Sequence, residues 1–235
     1  MSPYRSPRPL VRALLFLIAI TAPASSQAHD AIVPAPRAAE DWWMKRHAAI
    51  TERVRQGEVD ILFVGDSITQ GWEGAGRAVW ERSYASRKAA NFGISGDRTQ
   101  HVLWRIDRGE LERIAPKVCV VMIGTNNSNG EDNTVSEIAD GIAAVVDALQ
   151  RAMPGTRLLL LDIFPRGAVR NPRRAKILQV NQILHRLGDG ERVFNLDIGH
   201  RFLAADGSLS AEIMPDALHL SEAGYQIWAD AIEPR

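Results

Sequence analysis

Val59-Asp60-Ile61-Leu62-Phe63-Val64-Gly65-Asp66-Ser67-Ile68-Thr69-Gln70 is the stretch on which the fold turns. Ile61 to Val64 is a continuous apolar run, the pattern of a strand buried on both faces in a parallel sheet. It stops at Gly65-Asp66-Ser67, where glycine permits a sharp turn and a serine hydroxyl emerges at the strand's carboxyl end. Open α/β sheets bind ligands at that edge. A helix beginning there would set Ser67 among free backbone N–H groups, which favour developing negative charge. Gly-Asp-Ser also suits an ordinary helix cap, so these three residues alone do not separate a nucleophile from a cap.

Working outward, residues 40–56 read as a helix whose packed face carries Trp43, His47, Ile50 and Val54. The stretch 71–87, with Trp72, Trp80 and Tyr84, reads as loop-rich. A short strand over 89–92 ends in Gly93-Ile94-Ser95-Gly96-Asp97, and a helix is expected over 98–114. The third strand, 117–123, ends in Gly124-Thr125-Asn126-Asn127. Helices over 135–153, 172–187 and 221–232 alternate with strands over 157–163 and 192–196. Apolar strands joined by helical crossovers predict a three-layer α/β/α sandwich with a five-stranded parallel sheet. The order of the strands is not readable from this pattern.

Composition narrows the function classes. Lys+Arg 28 balances Asp+Glu 28, so no nucleic-acid footprint and no polybasic membrane patch is indicated. Arg5, Arg8 and Arg12 precede the apolar run Ala13 to Ile20, and small or polar residues follow up to Ser26-Gln27-Ala28. That order predicts a secretory signal peptide over 1–28, a short linker over 29–39 and one domain over 40–235. The apolar run is too short to span a bilayer comfortably. An exported protein (periplasmic or secreted) without stable membrane insertion after cleavage is therefore expected. Cys119 lies inside an apolar strand and reads as a small core residue.

Three strand ends carry unusual polar turns, and a parallel sheet brings such ends to one edge. Ester hydrolysis requires a nucleophile, a base for its proton and donors aimed at the tetrahedral oxyanion. Ser67 can be the nucleophile, Gly96 lets a backbone N–H approach closely, and Asn126 offers a side-chain N–H. Asp216-Ala217-Leu218-His219 supplies a histidine base together with the acceptor that would orient it.

With these blocks the chain resembles the GDSL/SGNH hydrolase superfamily, through Gly65-Asp66-Ser67, Gly96, Asn126 and the Asp216–His219 pair. More narrowly it resembles the catalytic subunits of the intracellular platelet-activating factor acetylhydrolases. That likeness is carried by Asn91 to Asp97, His101-Val102-Leu103-Trp104-Arg105, Gly124 to Asn127, and Pro165-Arg166-Gly167 before Asn171-Pro172, within residues 42–232. The resemblance implies the flavodoxin-like SGNH fold, with Ser67 as nucleophile, His219 as base and Asp216 orienting it. It further implies an oxyanion hole formed by the N–H groups of Ser67 and Gly96 and the Asn126 side chain. No metal or organic cofactor enters the scheme, and a homodimer rests on the resemblance alone. Ser95 stands where those relatives usually have glycine, and residues 70–76 also differ from them.

The activity expected is that of an exported serine esterase that removes short acyl groups, acetyl above all, from a small-molecule or glycan ester. Ile68, Thr125 and Leu218 are expected to close the acyl side into a small pocket. An O-acyltransferase acting on glycan hydroxyls would share the serine intermediate, and a non-catalytic binding protein would hold a vestigial site. The intact five-residue set argues against the latter. Asp66 is expected to serve the turn through hydrogen bonds, and His101, His185 and His200 to be surface or packing residues. Arg166 either lines the site or forms a salt bridge.

Overall fold

Five parallel strands and seven α-helices are found among the described residues of this computed structural model, which describes residues 29–109 and 111–233. The expected signal peptide lies outside the described residues. In chain order the elements are α1 (Asp41–Arg55), β1 (Ile61–Gly65), α2 (Ser67–Gln70), α3 (Arg77–Ser83), β2 (Ala89–Gly93) and α4 (Thr99–Ile106). They continue with β3 (Val118–Met122), α5 (Val135–Ala152), β4 (Arg157–Leu161), α6 (Pro172–Leu184), β5 (Val193–Leu196) and α7 (Glu222–Ile232).

Successive strand residues face opposite sides of a sheet, and here both sides are covered. Leu62, Val64, Cys119, Val121, Leu158 and Leu160 join a core with Val54 of α1, Val102 of α4, Ile142 of α5 and Val180 of α6. Phe63, Val120, Met122, Leu159 and Leu161 join a second core with Trp72 and with Tyr225 and Trp228 of α7. Burial on two faces is the reason the strands read as unbroken apolar runs.

The sheet order is β2-β1-β3-β4-β5, the flavodoxin-like order. The chain leaves β1 toward β2 and then crosses back to β3, so the order reverses between β1 and β3. Ligand sites of open α/β sheets lie outside the carboxyl ends at such a reversal. Ser67 follows β1 and Asn126 follows β3, which puts both at this crevice.

Three sequence expectations are corrected. The helix expected over 98–114 stops at Ile106, because Gly109 turns the chain in the left-handed region (φ +71°), and a separate 3-10 turn forms at Leu111–Arg113. The loop-rich stretch 71–87 contains α3, flanked by 3-10 turns, and it packs Trp72, Val79 and Tyr84 into the second core. The linker expected over 29–39 is docked on the domain. Ala31 is fully buried, its carbonyl accepts the Thr99 hydroxyl at 2.7 Å, and Asp30 accepts the Asn133 amide at 2.7 Å.

Candidate active site

The turn after β1 is built by Asp66. Its Oδ1 accepts the Ile68 N–H at 2.9 Å and so caps α2, which leaves the Ser67 hydroxyl free of capping duty. The hydroxyl meets His219 Nε2 at 2.9 Å, across 152 residues of chain. His219 Nδ1 lies 2.6 Å from Asp216 Oδ2. With Nδ1–H donating to the carboxylate, the Nε2 lone pair is left to accept the serine proton.

Asp216 is held by more than the imidazole. Its Oδ1 accepts the backbone N–H groups of Leu218 at 3.0 Å and His219 at 2.7 Å, an Asx-type turn that sets the short spacing of the pair. Partial burial pushes this carboxyl up, but the His219 side chain, its backbone N–H and charge, and the Leu218 N–H outweigh it and hold the pKa below the ordinary value. Asp216 thus stays charged to balance an imidazolium. The loop is fastened on one side, and α7 is tied to α2 on the other. The Gly167 N–H donates to the Ala217 carbonyl at 2.7 Å, and the Tyr225 hydroxyl of α7 donates to the Ile68 carbonyl at 2.6 Å.

The second strand end forms the wall opposite. Gly96 has φ +74°, the left-handed region that favours glycine, and a Cβ there would come within 2.9 Å of Arg37 Nη1 and push the guanidinium aside. The Asn126 amide donates one N–H to the Asp97 carbonyl at 2.9 Å, leaving its other N–H available. Gln70 Oε1 accepts the Ser95 N–H at 2.7 Å, and Arg37 Nη1 donates to the Ser95 carbonyl at 2.6 Å. Ser95 and Gln70 are therefore in direct contact.

A buried ion pair lies beneath. Asp97 is fully buried, with Oδ1 accepting the Trp43 indole N–H at 2.6 Å and Oδ2 2.9 Å from Arg105 Nη2. Arg105, 1% exposed, also donates to the Phe92 carbonyl at 2.8 Å and the Gly65 carbonyl at 3.4 Å. One guanidinium thus joins the ends of β1 and β2 to the loop after β2. Burial raises the Asp97 pKa despite Arg105, Trp43 and Arg37, and burial lowers that of Arg105 despite Asp97. Sequence reasoning missed this pair, and no sequence signal distinguishes it from surface charge.

The remaining expectations divide. Ile68 and Thr125 are each 1% exposed, and Ile68 belongs to the second core. Both are packed beneath the surface, and of the three residues assigned to an acyl pocket only Leu218 is part-exposed. Arg166 forms no salt bridge among the described residues. Its Nη1 donates to the Thr125 carbonyl at 3.0 Å and to Asn129 Oδ1 at 3.1 Å, so it lines the site. His101 Nδ1 accepts the Arg98 N–H at 3.0 Å at the start of α4, and His185 pairs with Asp162 at 3.1 Å. A cavity of about 820 Å³ lies at the other end of the sheet, among Asp60, Lys117 and Arg157, away from Ser67.

Asp66 makes a pH-dependent contribution to stability. Burial pushes its pKa up to about 7, the Ile68 N–H holds it back, and Asp97 adds to the rise. The unfolded carboxyl loses its proton near the ordinary 3.8, whereas the folded one keeps it to about 7. Over that interval the native state binds the extra proton, so stability falls as pH rises and levels off above the folded pKa. At about 1.4 kcal/mol per pKa unit, the loss amounts to a few kcal/mol. Asp66→Asn keeps the capping acceptor and should flatten this profile in urea titrations at acidic and alkaline pH. Identical profiles for the two proteins would contradict it.

Residues 63–227 match the model of the GDSL-like Lipase/Acylhydrolase family. Platelet-activating factor acetylhydrolase IB subunit alpha2 of Rattus norvegicus is 42% identical over 196 residues, covering 81% of this chain and 83% of the relative. The alpha1 subunit of the same organism is 39% identical over 184 residues, covering 78% and 77%. Among solved structures, a GDSL-like lipase from Bacteroides thetaiotaomicron superposes with a TM-score of 0.66 at 20% identity, over 81% of this chain and 95% of that one. The likeness to the last is one of fold.

Proposed function

This chain belongs to the GDSL-like lipase/acylhydrolase family and is a carboxylic ester hydrolase, and we propose that it cleaves short-chain esters, acetyl above all, through an acyl-enzyme on Ser67. The observation that carries the proposal is the unbroken chain from Ser67 Oγ through His219 to Asp216, at 2.9 and 2.6 Å. His219 takes the serine proton as Oγ attacks the ester carbonyl, and Asp216 balances the imidazolium. The N–H groups of Ser67 and Gly96 and the free N–H of Asn126 receive the oxyanion. His219 then delivers the proton to the departing alcohol and activates water against the acyl-enzyme.

Hydrolysis is favoured over transfer to a sugar by the openness of the base. The His219 and Asp216 side chains are 44% and 56% exposed, so bulk water reaches them. The acetyl preference is supported by the near-complete burial of Ile68 and Thr125 beside the reacting groups, and by the acetylhydrolase relatives. We expect kcat/KM on p-nitrophenyl acetate to exceed that on the octanoate by at least about tenfold. An octanoate hydrolysed as well as the acetate would overturn the short-chain reading. Export belongs to the same proposal and rests on the pattern over 1–28; N-terminal sequencing of the mature protein, expected to begin at His29, tests it.

A further inference from the structure

The aim of the Gly96 N–H depends on a single peptide group. Residues 94–97 form a β-turn, closed by the Asp97 N–H on the Ile94 carbonyl at 3.1 Å. Gly96, its third residue, has φ +74°, whereas Ser95 before it lies outside the left-handed region. That combination is a type II turn. Types I and II differ by a rotation of the central peptide, here Ser95–Gly96, which exchanges the places of its C=O and N–H. Glycine at the third position leaves both forms within reach. The peptide is planar, so whatever holds the Ser95 carbonyl also aims the Gly96 N–H.

The group that holds it comes from the segment before α1. Arg37 Nη1 donates to the Ser95 carbonyl at 2.6 Å and lies 3.8 Å from Asp97 Oδ1. Its guanidinium lies over Gly96, where a Cβ would come within 2.9 Å of Nη1 and 3.4 Å of Cζ. The guanidinium is itself fixed. Glu40 accepts its Nε at 2.8 Å and its Nη2 at 2.7 Å, and the Trp42 ring lies 4.9 Å from Cζ. Glu40 also balances its charge, so the contact with Ser95 serves position rather than neutralisation.

The same segment reaches toward the other expected oxyanion donor. Asp30 Oδ1 accepts the Asn133 amide at 2.7 Å, and Asn133 Oδ1 accepts the amide of Asn127, the neighbour of Asn126, at 3.0 Å. We propose that residues 29–40 are a strap that holds the oxyanion loops in their working form, with Arg37 the positioning residue for the Gly96 N–H. A cation on the Ser95 carbonyl also polarises that N–H into a stronger donor. This inference rests on the esterase reading above and extends its machinery to a segment that precedes the first helix.

The test compares p-nitrophenyl acetate with its thiono analogue, in which sulfur replaces the carbonyl oxygen. Sulfur is a weak hydrogen-bond acceptor, so only the oxygen ester gains fully from the oxyanion donors. Arg37→Met should lower kcat/KM on the oxygen ester by about tenfold or more, the scale of a donor misaimed rather than lost. The thiono ester should lose much less, so that the oxygen-to-sulfur ratio falls by about tenfold. Arg37→Lys returns one donor to the Ser95 carbonyl without the planar cover over Gly96, and should recover part of that ratio. An unchanged rate on the oxygen ester, or equal losses on both esters, would overturn the assignment. If Arg37→Met does not fold, Arg37→Lys decides: a lowered ratio upholds the strap, and the wild-type ratio ends it. If the wild-type protein leaves p-nitrophenyl acetate uncleaved, the esterase reading fails. Amide hydrogen exchange then decides the strap by itself: faster exchange over residues 94–97 in the Arg37 variant upholds it, and unchanged exchange ends it.

Discussion

Ser67→Ala is expected to leave a folded protein whose kcat/KM on p-nitrophenyl acetate is lower by at least about 10³-fold. The hydroxyl is the only group on its residue that reaches His219, and no other hydroxyl is hydrogen-bonded to that imidazole among the described residues. The fold does not depend on it. Asp66 caps α2, and Ser67 is only partly buried, so alanine leaves neither an orphaned N–H nor a large cavity. What remains is the rate due to the oxyanion donors and to binding. Circular dichroism and thermal unfolding should match wild type. Turnover within about tenfold of wild type would mean that the acyl group never rests on Ser67.

Breaking the buried pair beneath the oxyanion wall should have the largest effect on stability. Arg105→Met takes from the fully buried Asp97 carboxylate its nearest cation and leaves only Arg37 at 3.8 Å, and removing one partner of such a pair costs about 3–5 kcal/mol. Two carbonyls, of Phe92 and Gly65, lose a donor at the same time. For a chain of this size the change corresponds to a fall in Tm of about 10 °C. The double change Asp97→Leu/Arg105→Met removes both charges and should recover a substantial part of the stability while turnover stays low. The Gly96 and Asn126 donors are held through the Asp97 backbone and its neighbours, so their aim depends on this pair. Urea unfolding of the single and double variants measures it, and a single variant within about 1 kcal/mol of wild type would contradict the account.

What was legible in the sequence was local or doubly buried. Ile61 to Val64 declared a central strand because both of its faces meet a core, and the Asp216–His219 pair was legible because the two residues close one short turn. Ser67 was ambiguous by itself and became a nucleophile candidate only beside the other blocks. The hidden parts depend on distant chain. Strand order is set by which crossover lies on which side, which no single strand records. Leu111 continued the helical period past Gly109 and so concealed the break after Ile106. An Ala- and Pro-rich segment read as a tether, although Ala31 and Arg37 bond to Thr99 and Ser95 far along the chain. Asp97 and Arg105 look like surface charge until the fold buries both. Ile68 and Thr125 lay next to reactive residues in sequence, and the fold buries both almost fully.

The central claim is that Ser67, activated by His219, carries the acyl group. A fluorophosphonate tests it most directly, because an activated serine oxygen displaces fluoride from phosphorus and leaves a stable adduct that mass spectrometry locates. The account predicts one adduct on the peptide containing Ser67, none in Ser67→Ala, and strongly slowed labelling in His219→Ala. Adduct formation at another residue, or undiminished labelling of Ser67→Ala, would contradict it.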